Sequence, residues 1–516
     1  MPPQRSIAEQ EQPLHRAGAK ARVLLLVPPA PFPTGGPPLS LGYLAAALLA
    51  AGHEVQVRDL AAPYGPAPAE AALAVERWQP QLVGVSLLTE TAQGAYDLVA
   101  ALPRGRALWL AGGVHATCVA AEPLAHGFDL VCRGEGEQTL VALADRLVPS
   151  SSGSGSRPDP AELAAGIAGL SWRSAAGRLL ATPDRLPLAE LDLLPPPRRA
   201  ATLFPRSWYL PRGAGPLPAA LLTSRGCPGR CTFCCNLVTG RRVRLHGEQR
   251  VLQEMRAWME EGWAGWPVGQ GQGQAQAQVQ AQVRPPPVAI SIHDDAFTAD
   301  RARLLSLCRA MVEQLQPLPY WWCESRVDGF DPEMARAMKR AGCVAVVFGV
   351  ESGDPGMLRR IGKGITPEAA LAAFAAAKDA GLRTCANFML GFPGEKEEEL
   401  GATLALMRRL APLTDSFSSL GLLVPYPGTA IYRRHAREHG FRRWWLDRAR
   451  LGVLQRALPP GGLGSVEAAR WPELQEELEE AVLAADFFHH PPGVLTEIRE
   501  CLAFRREHNL GACRGK

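Results

Sequence analysis

The chain has little net charge, no long apolar run and no second cysteine pair, and each absence removes a class of protein. A formal net charge of +4 over 516 residues gives no reason to expect a nucleic-acid partner. The best apolar stretch, LSLGYLAAALLAAG, ends at His53 and falls short of the roughly 20 residues that span a bilayer. The N-terminal MPPQRSIAEQEQPLHRAGAKAR has no apolar core of the kind a secretory signal needs. The twelve cysteines are mostly scattered, so a cytoplasmic, reducing setting is expected and a disulfide framework is not. What remains is a chain of ordinary globular composition, 47% hydrophobic and 21% charged, too long for one core and expected to form two or three domains.

The first third alternates strand and helix signals. RVLLLV (22–27), EVQVRDL (54–60), QLVGVSLL (81–88), ALWLAG (107–112) and FDLVCR (128–133) read as strands. Between them lie helical stretches at 39–52, 91–102 and 137–147. Buried strands alternating with helices predict a parallel sheet covered on both faces, with ligands beyond the carboxyl ends of the strands. Those ends carry PPAPFPTGG, Ser86-Leu87-Leu88, Gly112-Gly113-Val114-His115 and Arg133-Gly134-Glu135-Gly136-Glu137. Glycines there let a ligand approach the backbone, although Gly112-Gly113 also reads as a tight turn. Glu135 and Glu137 also suit a helix N-terminus, and His115 also reads as a solvated loop residue.

Taken together, residues 22–148 resemble the cobalamin-binding domain. Ser86 and Leu88 match its SxL block, and Gly112-Gly113 match its GG block. The DxHxxG block that supplies a lower axial histidine does not occur in residues 1–150. The resemblance is therefore to the subgroup that holds cobalamin without a protein histidine on cobalt. It implies cobalamin contacts at Ser86, Leu88, Gly112, Gly113, His115 and Glu135.

Residues 149–212 read as a linker with a small hairpin at 166–180, beginning with the Ser/Gly/Pro-rich PSSSGSGSRPDP. A low-complexity insertion, GQGQGQAQAQVQAQVRPPP (269–287), has no core-forming pattern.

TSRGCPGRCTFCCN (223–236) puts four cysteines into nine positions after a short strand. A structural zinc site wants four ligands, usually as two separated pairs, and no second pair exists here. Three thiolates in one loop, Cys227, Cys231 and Cys234, instead suit a 4Fe-4S cube with one iron left open, since full cysteine ligation uses four. Cys235 adjoins Cys234 and is expected to point elsewhere. Downstream, six strands can be counted at 219–224, 288–293, 320–325, 344–350, 385–390 and 418–424. Alternation gives an apolar face of Ile290, Ile292, Phe348, Val350, Ala386, Phe388 and Leu390. The opposite face carries Ser291, His293, Gly349, Glu351, Cys385, Asn387 and Met389, and Glu324 and Arg326 share a face of the third strand. A small barrel filled only for packing has an apolar interior, so the polar face predicts a cavity for a polar ligand.

The CxxxCxxC spacing with Phe233 before the last cysteine resembles the radical S-adenosylmethionine (SAM) superfamily. IHDDAFT (292–298), CESRVD (323–328), FGVESGD (348–354), MLGFPGE (389–395) and VPYPGT (424–429) resemble its members that carry an N-terminal cobalamin-binding domain. The resemblance covers roughly residues 22 to 440. It implies an α/β chain: a Rossmann-like cobalamin-binding domain at 22–148, then a partial (β/α)6 TIM-type barrel at 213–440. A C-terminal α-helical region is expected at 441–516. By the same resemblance Cys227, Cys231 and Cys234 bind the 4Fe-4S cluster, and Phe233, Glu351, Asn387, Asp294 and Arg326 lie at SAM. Asp294-Asp295 stands where the superfamily's Gly-Gly-Glu contact is usual.

The implied activity is radical methylation of an unreactive carbon or of phosphorus in a small-molecule substrate. Methylcobalamin would be the methyl donor and flavodoxin or ferredoxin the external reductant. Oxidative cyclisation or rearrangement with the same cofactors is the alternative, and a non-catalytic cobalamin or cluster sensor is a further one. His489, His490, Cys501 and Cys513 match no familiar metal spacing and are expected to be surface or packing residues.

Overall fold

The computed structural model describes residues 20–30, 35–148, 157–198, 202–210, 219–260, 289–417, 421–447 and, except 478, 481, 482 and 485, 476–514. The low-complexity insertion at 269–287 and the start of the expected linker, 149–156, lie outside the described residues. So do residues 448–475 of the helical region expected at 441–516. The chain divides into two compact units, the first ending at Trp208 and the second beginning at Tyr209, with the short segments 31–36 and 189–193 belonging to the second.

In the first unit, β1 (Arg22–Val27), β2 (Glu54–Asp59), β3 (Leu82–Ser86), β4 (Leu108–Gly112) and β5 (Leu130–Cys132) form a parallel sheet in the order β2-β1-β3-β4-β5. Near-continuous burial of β1, β4 and β5 explains their uninterrupted apolar sequences, because helices cover such a sheet on both faces. The strand order reverses between β1 and β3. That reversal is the switch point at which doubly wound sheets open a crevice for ligands.

The segment expected to be a linker adds to this sheet. β6 (Leu170–Arg173) pairs antiparallel with β5, and β7 (Leu179–Ala181) pairs antiparallel with β6. Arg133 fastens the addition, donating to Ser171 Oγ at 2.7 Å and Thr182 O at 2.6 Å. The backbone groups of β5 gain partners on their open edge, which a detached hairpin would leave exposed.

In the second unit β8 (Ala219–Leu221) begins a six-stranded sheet. It continues through β11 (Ala289–Ile292), β12 (Tyr320–Arg326), β13 (Cys343–Glu351), β14 (Arg383–Phe388) and β15 (Ser416–Phe417), every pairing parallel. Helices at 248–260, 301–314, 332–340, 367–379 and 397–410 link consecutive strands or precede them. The face expected to be apolar is buried throughout, from Ile290 and Ile292 to Phe348, Val350, Ala386, Phe388 and Leu390.

The sixth strand begins earlier than its sequence suggests. Pairing occurs at Ser416–Phe417, residues 418–420 lie outside the described residues, and Leu422 bridges Leu390. A side-chain amide takes the place of a further strand at this edge. Phe417 N–H donates to Asn509 Oδ1 at 2.9 Å, and Asn509 Nδ2 donates to Phe417 O at 2.8 Å. Asn509 lies on the helix Pro492–Arg514, one described part of the expected C-terminal helical region. Cys501 of that helix is fully buried, a packing residue. Among the described residues no helix is long and apolar enough to cross a membrane.

Candidate functional site

The cysteine run is the connection of a two-stranded ribbon, β9 (Ser224–Arg225) paired antiparallel with β10 (Arg244–Leu245). It leaves the carboxyl end of β8, where a polar loop costs no sheet pairing. Gly226 starts the loop at φ +96°, and a Cβ there would stand 2.3 Å from Arg242 O, so no side chain fits. Inside the loop Cys227 N–H donates to Gly240 O at 3.3 Å and Cys234 N–H to Cys231 O at 3.2 Å. Gly229 lies between the thiols: a Cβ there would come 3.3 Å from Cys227 Sγ and 3.8 Å from Cys231 Sγ.

Two carboxylates hold this loop from below. Thr223 donates to Asp294 through its N–H at 2.6 Å and its hydroxyl at 2.5 Å, and the Ser224 hydroxyl donates at 2.7 Å. Asp295 Oδ2 accepts from Gly226 N–H at 2.8 Å and from the Thr239 hydroxyl at 2.9 Å. Burial pushes the Asp294 carboxyl above its ordinary range, against those hydrogen bonds. Asp294 was expected at SAM. Both its oxygens are instead committed to the strand end that carries the cysteines, which corrects that expectation to a positioning role.

His246, absent from the sequence-based site, completes the ribbon. It is 1% exposed, its N–H donates to Thr223 O at 2.9 Å, and its Nδ1 stands 2.8 Å from Asp192 Oδ1. Burial lowers its pKa despite Asp192. A histidine depressed in the fold favours folding above its unfolded pKa, about 6.5, and that contribution is lost as pH falls below it. Acidification from neutral pH should therefore lower the melting temperature of the natural chain more steeply than that of His246→Gln, in paired thermal melts. Parallel slopes would remove His246 as the cause.

Cys227 and Cys231 are half-buried and Cys234 is exposed. A hydrogen bond from Cys234 pushes the Cys231 thiol down to about 6, and the positive charges of Lys363 and Arg326 act in the same direction. Arg326 Nη1 lies 3.9 Å from Cys231 Sγ, and its Nη2 donates to Lys363 O at 2.5 Å. Thr232 N–H donates to Ile361 O at 2.8 Å, and the Phe233 ring lies 6.0 Å from that of Phe392. Three convergent thiols beside two cations form a donor set that fits an anionic iron–sulfur cluster.

Two of the expected SAM residues, Arg326 and Asn387, meet along one row. Arg326 of β12 pairs with Gly349 of β13, and Gly349 with Asn387 of β14. A register irregularity between Gly349 and Glu351 turns Glu351 to φ +71°, a left-handed backbone that costs about 1–3 kcal/mol for such a residue. Its carboxylate is thereby buried against Lys363, with Nζ to Oε1 at 2.8 Å. Gly349 makes room for the pair, since a Cβ would stand 2.7 Å from that Nζ. Lys363 follows the helix Pro355–Arg360, outside any strand, so alternation could not reveal it. Asn387 Oδ1 and Ser291 Oγ are buried without a hydrogen-bond partner. Orphaned acceptors of this kind are rare and fit a polar ligand in the sheet's open mouth.

In the first unit, Ser86 pairs with Gly112 and Leu87 N–H donates to Gly112 O at 2.8 Å. A Cβ on Gly112 would meet nothing, whereas one on Gly113, at φ +97°, would lie 2.7 Å from Leu87 O. Leu88 is half exposed. Gly112 thus faces open space beside Ser86 at the strand ends, with Leu88 half exposed and Gly113 packed on the Leu87 backbone, an arrangement that fits the nucleotide tail of cobalamin.

His115 does not join them. The short helix Val114–Cys118 rolls it to full burial, with Nδ1 3.1 Å from Thr89 Oγ1 and Nε2 3.2 Å from Glu122 Oε1. Glu135 is buried as well, and Oε2 accepts from Leu188 N–H at 3.0 Å. Both were expected at cobalamin and are instead internal props of the domain.

Comparison with known proteins agrees with this division. The B12 binding domain family matches residues 30–144 and the Radical SAM superfamily matches residues 221–407. An uncharacterized methyltransferase of Pyrococcus horikoshii is 30% identical over 426 residues, covering 80% of this chain and 82% of its own. The cytidylyl-2-hydroxyethylphosphonate methyltransferase of Streptomyces wedmorensis is 26% identical over 444 residues, covering 74% and 76%. The anaerobic magnesium-protoporphyrin IX monomethyl ester cyclase of Rubrivivax gelatinosus is 22% identical over 329 residues, covering 62% and 52%. Among solved structures, the radical SAM methyltransferase TsrM of Kitasatospora setae superposes with a TM-score of 0.62 at 21% identity, covering 82% of this chain and 77% of that one. At that identity the likeness is one of fold.

Proposed function

The chain belongs to the radical SAM family whose members carry an N-terminal B12-binding domain, and from that premise we propose that it transfers a methyl group from methylcobalamin to an unreactive carbon, or to phosphorus, of a small molecule. The observation that carries the reading is the pairing, in one chain, of a three-thiol loop with a glycine-edged cradle at the carboxyl ends of β3 and β4 of the parallel sheet. Relatives named as methyltransferases in Pyrococcus horikoshii and Streptomyces wedmorensis support methyl transfer over cyclisation.

When bound, the cluster, SAM and cobalamin supply the one-electron chemistry and the methyl group. The chain's own residues bind and orient them. Cys227, Cys231 and Cys234 would hold the cluster, with Asp294 and Asp295 fixing the loop and Phe233 packing beside it. Arg326 and Lys363 offset the negative charge of the thiolates. Asn387 and Ser291 offer their free oxygens to the hydroxyl and amino groups of SAM. Glu351, held in place by Lys363, accepts from the same ligand. Ser86, Leu88, Gly112 and Gly113 receive the tail of cobalamin. Electrons come from an external reductant such as flavodoxin or ferredoxin, in a cytoplasmic setting that keeps the thiols reduced.

The test is anaerobic reconstitution with iron, sulfide and hydroxocobalamin, then dithionite, SAM and mass spectrometry of the products. Retained cobalamin with 5′-deoxyadenosine and S-adenosylhomocysteine formed together is the expected result. Cleavage to 5′-deoxyadenosine alone without retained cobalamin would overturn methyl transfer. An intact reduced cluster with no SAM cleavage would point to a sensor. Gly113→Val in the same assay should abolish cobalamin retention and leave bound iron unchanged, because the added side chain meets Leu87 O. Retention by that variant would remove the cradle from the binding site.

A further inference from the structure

The second unit holds another constellation, one that neither the cysteine loop nor the SAM row uses. His435-Ala-Arg-Glu438-His439 extends the helix Ala430–His435 by a turn, with His439 N–H donating to His435 O at 3.0 Å. Two imidazoles separated by four positions on a helical turn lie on one side, the spacing by which helices present paired histidines to zinc. One ligand atom each from His435, Glu438 and His439 lies within 4.8 Å of the others. His489 stacks on His439, ring centroids 5.9 Å apart at 29°. It is held at φ +53°, a left-handed backbone that a side chain adopts only at a cost and that functional sites tend to keep. These residues and Glu395 border a cavity of about 370 Å³.

Two polar atoms in that cavity's lining lack what burial normally demands. His435 Nδ1 is buried and makes no hydrogen bond; Glu438 Oε2 stands 3.8 Å from it. That gap is too long for a hydrogen bond and close to the separation of two ligands on one ion, whose bonds run about 2.0–2.2 Å each. Glu395 is 3% exposed, and its Oε1 has no hydrogen-bond partner, while Oε2 accepts from Gly391 and Phe392 N–H at 2.6 and 3.0 Å. The neighbouring His490 behaves differently. Its Nδ1 lies 2.8 Å from Asp486 Oδ1 and its Nε2 3.1 Å from Phe392 O, so both nitrogens are committed and it is no ligand.

We propose that His435, Glu438 and His439 bind one divalent transition-metal ion of the zinc class, with His489 closing the fourth side and Glu395 lining the cavity behind these ligands. Imidazole with carboxylate suits zinc and its neighbours, whereas calcium and magnesium take oxygen ligands. The ion fastens two segments distant in sequence, the turn after the last barrel strand and the residues leading into the helix Pro492–Arg514, and Glu395 on the loop that carries Phe392 borders the same cavity. Since Phe392 packs on Phe233 beside Cys234, the site steadies one wall of the cysteine loop without touching the chemistry there.

The experiment uses tag-free, cluster-loaded full-length chain dialysed anaerobically against zinc, with zinc and iron measured in the same sample and zinc K-edge X-ray absorption recorded. The expected result is one zinc per chain in a nitrogen–oxygen shell at about 2.0–2.1 Å rather than a sulfur shell at about 2.3 Å. His435→Asn/His439→Gln should lose the zinc and keep the iron, which shows that the variant has folded. His490→Gln should keep both metals. A sulfur shell, no retained zinc, or undiminished zinc in the double variant would overturn the proposal. Should the double variant lose iron as well, Glu438→Gln, on an exposed side chain, decides: unchanged zinc in that variant overturns the site, and weakened zinc retention supports it.

Discussion

Asp294→Ala is expected to cut the iron retained by the reconstituted chain by about 10- to 100-fold, the range seen when residues behind metal ligands are removed. The residue touches no iron in this reading. Its two oxygens take the Thr223 N–H, the Thr223 hydroxyl and the Ser224 hydroxyl, at the point where β8 hands over to the cysteine ribbon. Alanine leaves a buried backbone N–H without a partner, and each hydrogen bond lost to a charged group costs about 1.5–3 kcal/mol. The strand end then moves, and the three thiols with it. Asp294→Asn keeps an acceptor for the Thr223 N–H, and the two hydroxyls can rotate to meet its amide. It should therefore recover most of the iron, which a role in ligation or in SAM binding would not predict. Iron and sulfide analysis beside Cys231→Ala, which loses a ligand outright, sets the scale. Full iron loading of Asp294→Ala would show that the loop holds its shape without this carboxylate.

The second large effect concerns Lys363. Lys363→Met removes the partner of a carboxylate whose side chain is 10% exposed, and an uncompensated buried charge costs about 3–5 kcal/mol. The variant should lose that much stability in denaturant titration and bind SAM weakly, since the Glu351 carboxylate then has no cation to hold it in place. The double variant Glu351→Gln/Lys363→Met carries no buried charge at the pair and should regain most of the stability. It should still bind SAM weakly, because the charged acceptor is gone. Stability and ligand affinity thus separate, and equilibrium binding of SAM beside the melts reads both. If Lys363→Met unfolds within about 1 kcal/mol of the natural chain, the pair behaves as a solvated surface bridge and Glu351 does not depend on Lys363.

These two residues also mark how far the sequence could be read. Phe233 and the spacing of Cys227, Cys231 and Cys234 were legible because their constraints are local, within one loop. Alternation on β11, β13 and β14 showed which side chains share a face, and burial agrees at Phe348, Ala386 and Phe388. Lys363 and His246 were not legible. Neither lies in a periodic element, and their partners Glu351 and Asp192 are 12 and 54 positions away. His115 and Glu135 misled for the opposite reason. Chemically suitable residues at the right strand ends read as ligands, and only the roll of one short helix and the hydrogen bond from Leu188 N–H to Glu135 show them turned inward.

The sequence by itself therefore determined the two-part α/β organisation, the three-thiol loop and the glycines at the strand ends, because period, spacing and backbone permissiveness act over a few residues. The tertiary structure decided which carboxylates hold the loop, which one is buried against a lysine, and how the hairpin at 170–181 completes the first sheet. It also decided which histidines face one cavity. Those outcomes depend on where remote segments bring their charges and hydrogen-bond donors, and the cost of burying such groups unpaired settles each of them only once the chain has closed on itself.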